Sequence, residues 1–180
     1  MRNSCGMLGV LLLAACGQGA EQASVTEAAA SAPASNSAPA APAAPVLQAD
    51  KAALAQPCLF TKEQVASALN LAVDSATPET MGDMAGCTYQ GAKGSLRLNL
   101  IWHDPVYFEQ ATQMTRGSRP GEKIDLPGDA DKAWMQFDGP TGGNLHYYRK
   151  NLEVELVPLL ISTPGRDAIQ AALLKLPRVP

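Results

Sequence analysis

Between residues 95 and 102 the chain alternates strictly. Leu96, Leu98, Leu100 and Trp102 share one parity; Arg97, Asn99 and Ile101 share the other. Successive side chains of a strand point to opposite faces, so this pattern predicts a strand with one face buried. The same period returns downstream. Residues 131–138 place Ala133, Met135 and Phe137 on one side, and residues 144–150 place Leu145 and Tyr147 on one side. Residues 152–160 direct Leu152, Val154 and Leu156 inward and Glu153 and Glu155 outward. Cys87-Thr88-Tyr89-Gln90 reads as a further short strand. Gly139-Pro140-Thr141-Gly142-Gly143 and the tight Lys150-Asn151 pair join the last three strands as consecutive hairpins.

Elsewhere the period lengthens to that of a helix. Thr61-Lys62-Glu63-Gln64 forms a capping box, with Val65, Ala68, Leu69 and Ala72 following at helical spacing, which predicts a helix over 61–71. Asp104-Pro105 predicts a second helix with Asp104 as its N-cap and Tyr107, Ala111 and Met114 as its apolar stripe. Residues 117–128, rich in Gly and Pro, read as a loop. A third helix begins near Pro164 and buries Ala168, Ile169, Ala172, Leu173 and Leu176. The expected order is α-β-β-α-β-β-β-α. Hairpin connections imply an α+β domain, an antiparallel sheet of about five strands packed with three helices, over residues 50–180.

The N-terminal third follows another logic. Arg2 precedes an apolar run from Met7 to Ala15, far short of the ~20 residues that span a bilayer as a helix. It has the length of the apolar segment in a secretory leader. The run ends in Leu13-Ala14-Ala15-Cys16, which resembles the bacterial lipobox. That resemblance implies removal of residues 1–15 and lipidation of Cys16, so the partner at this end is a membrane. Each buried methylene of an acyl chain adds ~0.8 kcal/mol, and two or more chains give stable anchoring. Gly17 follows where an Asp resembles the inner-membrane retention signal, which by analogy points to the outer membrane facing the periplasm. Residues 16–49 are mostly Ala, Pro, Ser, Gln and Glu, with almost no large apolar residue, and include the run APAAPAAP from Ala38 to Pro45. Such a stretch buries too little apolar area to offset its ordering entropy and reads as a disordered tether. At ~3.1 Å per residue it reaches on the order of 100 Å when fully extended.

In an oxidising compartment cysteine arithmetic becomes informative. With Cys5 in the leader and Cys16 lipidated, Cys58 and Cys87 remain as an even pair. They are expected to form a disulfide. A two-Cys metal site would need further ligands, and no nearby His supplies them. The closed loop, about 30 residues, corresponds to roughly 3 to 4 kcal/mol of chain entropy.

Charge and chemistry narrow the function classes. With 14 basic against 17 acidic residues and a net charge of −3, nothing points to nucleic acid, which demands a concentrated basic surface. Aromatics make up only 5%, so the core must rest on Leu, Val, Ile, Met and Ala. His103 and His146 are the only histidines, and no H-E-x-x-H, P-loop or G-x-S-x-G occurs. His103-Asp104 is a weak base-and-orienter candidate, since consecutive strand positions point oppositely. Asp125, Asp129 and Asp131 lack the pattern of a calcium loop and read as a solvated acidic loop. No metal or cofactor is expected. Opposite the core parity lie Arg97, Asn99, Trp134, Gln136, His146 and Tyr148, with Glu153 and Glu155, as one polar face containing aromatics. Tyr, Trp and Arg favour binding surfaces, so this face is the candidate binding face.

Pro57-Cys58-Leu59-Phe60-Thr61, Gly86-Cys87-Thr88-Tyr89 and Gly128-Asp129-Ala130-Asp131-Lys132-Ala133 together resemble a group of bacterial lipoprotein domains. These carry a Cys before an LT helix start, a CxY strand and a GDxA strand start; Phe60 departs from the more usual Leu. The resemblance covers most of residues 57–175. Such domains are largely of unknown function, and some resemble the PsbP-like α/β/α fold, in which helices flank an antiparallel sheet. It carries over no catalytic residue. The expectation is a non-enzymatic envelope lipoprotein that binds a protein or cell-wall partner. The alternatives are an inhibitor or immunity lipoprotein against a toxin, a small-ligand carrier, and an enzyme with a site built around His103.

Overall fold

A computed structural model describes residues 51–180. The leader, Cys16 and the tether lie outside the described residues. Four helices and seven strands follow: α1 (51–55), α2 (Lys62–Leu69), β1 (Ser75–Met81), β2 (Met84–Gly91), β3 (Gly94–Trp102), α3 (Phe108–Ser118), β4 (Glu122–Asp125), β5 (Trp134–Phe137), β6 (Asn144–Arg149), β7 (Leu152–Leu160) and α4 (Arg166–Leu173). The strands form one sheet in the order β1-β2-β3-β7-β6-β5-β4, antiparallel at every step. The α+β class stands, but the expected five strands become seven and the three helices four.

The two strands the pattern did not give are the two edges. β1 is exposed at all seven positions, so no alternation marks it. β4 lies inside the stretch expected as loop. An edge strand has a neighbour on one side only, and its side chains need not enter a core.

One face of the sheet carries the apolar core. Cys87 and Tyr89 of β2, Leu96, Leu98 and Leu100 of β3, Val154 and Leu156 of β7, Leu145 and Tyr147 of β6, and Met135 and Phe137 of β5 are buried there. The core cluster also takes Val65 and Leu69 from α2 and Ile169 and Leu173 from α4. The capping box forms as expected. Thr61 Oγ1 accepts from the Gln64 N–H at 3.2 Å, and Gln64 Oε1 accepts from the Thr61 N–H at 2.8 Å. The helix stops at Asn70, which takes the left-handed conformation (φ 51°), so Leu71 rather than Ala72 turns inward.

Cys58 and Cys87 are joined by a disulfide, with Cα atoms 5.0 Å apart. It fastens the segment leading into α2 to the middle of β2. Beside it, the Tyr89 hydroxyl donates to the Phe60 carbonyl at 3.0 Å and accepts from the Phe60 N–H at 2.9 Å. The two backbone groups that start α2 are thereby satisfied inside the core.

Candidate functional site

The residues of the candidate binding face do share one side of the sheet, away from the apolar core. Cross-strand register places Trp134 beside His146, His146 beside Glu155, Asn99 beside Glu155, and Tyr148 beside Glu153. This side splits in two. α3 covers the half built on β7, β6 and β5; the half built on β1, β2 and β3 stays open.

Beneath α3 the side chains are polar, yet buried. Trp134 and His146 stack with ring centroids 4.0 Å apart and planes 9° from parallel. His146 Nε2 lies 3.0 Å from Gln136 Oε1, and Gln136 Nε2 donates to the Pro120 carbonyl at 3.0 Å. Glu153 and Glu155, expected to point into solvent, are buried. Their partners come from the two ends of the segment that carries α3. His103, before the helix, sits 3.0 Å from Glu153 Oε2. Arg119, its C-cap, donates to both oxygens of Glu155 at 2.7 and 3.3 Å and lies 3.5 Å from Glu153 Oε1. Two carboxylates two residues apart on β7 thus pin both ends of the covering segment.

The helix itself differs from expectation. It begins at Phe108, and Asp104 instead caps the preceding turn, accepting from the Val106 N–H at 2.9 Å. Tyr107 and Met114, expected in the buried stripe, are exposed, and the one buried residue of α3 is Thr112. Helical period alone selects the apolar stripe as the buried one. Here the surface being covered is polar, so the helix turns a polar flank toward it.

The electrostatics follow from this cover. Burial, with the positive charges of Arg119 and Arg116, holds His146 far below the ordinary histidine range, at about 3, so the ring is neutral at physiological pH. Burial pushes the Tyr148 hydroxyl up. Arg119 Nε, His146 Nδ1 and Glu153 Oε1 are buried without a hydrogen-bond partner among the described residues. His103 and Asp104 do not act together, since the imidazole meets Glu153.

In the open half, Arg97 Nε donates to Asn99 Oδ1 at 2.9 Å, and its guanidinium pairs with Glu79 at 3.2 Å. Asn99 Nδ2 donates to Glu155 at 3.0 Å, so one polar chain runs from the open half into the covered half. These residues floor a groove of about 290 Å³ whose other lining includes Met81, Met84 and Gly86. Met81 and Met84 face each other across the β1–β2 hairpin, and the same row continues through Ile101, Glu153 and Tyr148. Val106 and Tyr107 lie at this end of the sheet, between Trp102 and the Phe108 that packs on Tyr148. Met81 is 73% exposed, Met84 44%, Val106 82% and Tyr107 63%.

The acidic loop is not solvated as expected. Asp129 pairs with Arg178, and Asp131 with Arg149 at 3.1 Å; only Asp125 is well exposed, and it meets Arg116 at 2.8 Å. No group of three or more His, Cys, Asp or Glu suited to a metal occurs among the described residues. The exposed row at Met81 and Met84 escaped sequence reasoning because β1 shows no period.

The family described as Protein of unknown function (DUF3558) matches residues 11–172. No curated protein and no solved structure matches the chain.

Proposed function

The chain belongs to the DUF3558 family, and from that premise we propose that it is a lipid-anchored envelope protein whose domain binds a protein partner without catalysis. The reading places the mature chain on the outer membrane facing the periplasm, with Cys16 as the anchor and residues 16–49 as the tether. The family match begins at residue 11, within the apolar run that ends in Leu13-Ala14-Ala15-Cys16, which favours treating that run and the domain as parts of one design. The disulfide between Cys58 and Cys87 suits an oxidising compartment. Helices on both sides of the sheet are in keeping with a PsbP-like α/β/α layering.

One observation carries the binding role. Met81 and Met84 face each other beside the open half of the polar face, and the exposed Val106 and Tyr107 follow the end of β3 in the chain. Isolated exposed apolar side chains are ordinary, but a cluster rimmed by Arg97, Asn99 and Glu79 has the composition of a partner surface. Methionines adapt their shape to a partner, and Tyr offers a large contact area at low entropy cost.

The experiment uses the full chain expressed in an envelope-bearing bacterial host. Cys16→Ser should move it from the membrane fraction to the soluble fraction or leave the leader uncut. In detergent extracts, the native chain should retain one partner near stoichiometric yield, and the double variant Met81→Ser with Tyr107→Ser should lose it while melting within a few degrees of the native protein. Unchanged membrane association of Cys16→Ser defeats the anchor. Equal recovery by the double variant, or no partner at all, defeats the binding surface.

A further inference from the structure

A cleft of about 440 Å³ opens between α3 and the β4–β6 end of the sheet, lined by Phe108, Thr112, Arg116, Leu126, Lys132 and Tyr148 among others. Its size falls in the range of small-molecule sites, roughly 300 to 1,000 Å³. The walls are apolar and aromatic where they meet the sheet. Phe108 stands edge-on to Tyr148 with centroids 5.8 Å apart, and Leu126 with Ala133 extends that surface.

The charged groups around it are unevenly matched. Arg116 is held by Asp125 at 2.8 Å and lies over the Trp134 ring. The Glu109 carboxylate accepts from Gln113 at 3.4 Å. Lys132 has no ion-pair or hydrogen-bond partner for its ammonium among the described residues. The Tyr148 hydroxyl accepts from Trp134 Nε1 at 3.4 Å, while its own proton has no acceptor among the described residues. Burial keeps that hydroxyl protonated, and therefore a donor.

The backbone of Lys132 is also constrained. It takes the left-handed conformation (φ 52°), unusual for a residue with a side chain, at the end of the turn that Gly128 opens (φ 78°). The Asp129 carboxylate accepts from the N–H groups of Asp131 at 2.9 Å and Ala133 at 3.3 Å, and Lys132 N–H donates to the Asp129 carbonyl at 3.2 Å. Asp129 is itself fixed by Arg178, and the Asp131 carbonyl accepts from Tyr148 N–H at 2.9 Å. The Gly-Asp-x-x-Lys turn and β6 therefore hold the backbones of Lys132 and Tyr148 in a fixed relation before any ligand arrives. Preorganisation of this kind lowers the cost of binding.

We propose that this cleft binds a small organic carboxylate with an apolar body, its head group on Lys132 and the Tyr148 hydroxyl and its body against Phe108 and Leu126. The lining of the cleft does not include Met81, Met84, Val106 or Tyr107, and the proposal stands independently of the partner and the anchor.

Benzoate, with uncharged benzamide as its control, tests the idea on the purified full chain by two-dimensional NMR titration. Benzoate should shift the amides of Lys132, Ala133 and Tyr148 saturably and bind at least about tenfold more tightly than benzamide, a difference of about 1.4 kcal/mol. Lys132→Met should abolish that preference while leaving the rest of the spectrum in place. Because Lys132 is exposed, the variant is expected to fold; Lys132→Gln serves if it does not. Tyr148→Phe should weaken benzoate severalfold and leave benzamide unchanged. Absence of saturation, equal binding of the two probes, or a Lys132→Met protein that still prefers benzoate would overturn the proposal.

Discussion

The two sides of this sheet bury their large side chains by opposite means. On the core side Leu96, Leu98, Leu100, Val154 and Leu156 meet α2 and α4, and a disulfide ties the entering chain to β2. On the other side Trp134, His146, Gln136, Glu153 and Glu155 are buried under a single helix that contributes one buried residue of its own. Dispersion and the hydrophobic effect hold the first side and need no precise partner for any one atom. The second depends on directional contacts, in which every lost partner strands a buried charge or donor. Burial alone is therefore a poor guide to how an element is held. α2 and α4 belong to the cooperative core, whereas α3 is fastened at its ends, through His103 and Arg119, to one strand.

Paired variants should separate the two regimes. Leu98→Ala opens a cavity at a fully buried position on the central strand β3 and is expected to cost about 4 kcal/mol. Arg119→Met keeps the aliphatic stem but leaves Glu155 and Glu153 without their guanidinium, and is expected to cost roughly 3 kcal/mol. The sharper difference lies in where protection is lost. Leu98→Ala should raise hydrogen exchange throughout the domain, because it lowers the global stability. Arg119→Met should raise it first in residues 103–121, with the amides of β3 and β7 exchanging much as before. Uniform exchange in both variants would show that α3 is part of the core unit and would remove the distinction.

Period-two alternation carried most of what the sequence revealed. It placed Arg97, Asn99, Trp134, Gln136, His146 and Tyr148 on one side of the sheet, because side-chain direction in a strand is fixed by position. It did not tell which polar face is covered, because a polar residue under a helix and one under water look alike along the chain. Glu153 and Glu155 were read as solvated for that reason. The capping box at Thr61 and Gln64 was fully legible, since its contacts are three residues apart. The edge strands β1 and β4 were not, since neither needs a period when it enters no core. The polar flank of α3 escaped for the converse reason, as its surroundings and not its own sequence decide which stripe is buried.

The smallest effect expected from the covered side is also the most specific, because pH addresses His146 alone within the Trp134 stack. Its imidazole titrates near 6.5 when unfolded and at about 3 in the folded protein. Between those values the unfolded chain binds a proton that the folded chain refuses, so this group's contribution to stability is whole above 6.5 and is lost as pH falls toward 3. From about pH 7.5 to about pH 5 the loss is about 2 kcal/mol. His146→Phe keeps a flat ring against Trp134 but cannot titrate. The variant should be destabilised by a constant amount, because Gln136 Oε1 loses its partner. Its stability should fall by about 2 kcal/mol less than the native protein's over the same interval. Chemical denaturation of both proteins at the two pH values measures the difference directly, and groups common to both cancel. Parallel pH dependence in native and variant would mean that His146 is protonated within the fold. The helix would then cover a charged ring beside Arg119 and Arg116, and the account of the covered side as a neutral stack enclosed by ion pairs would fail.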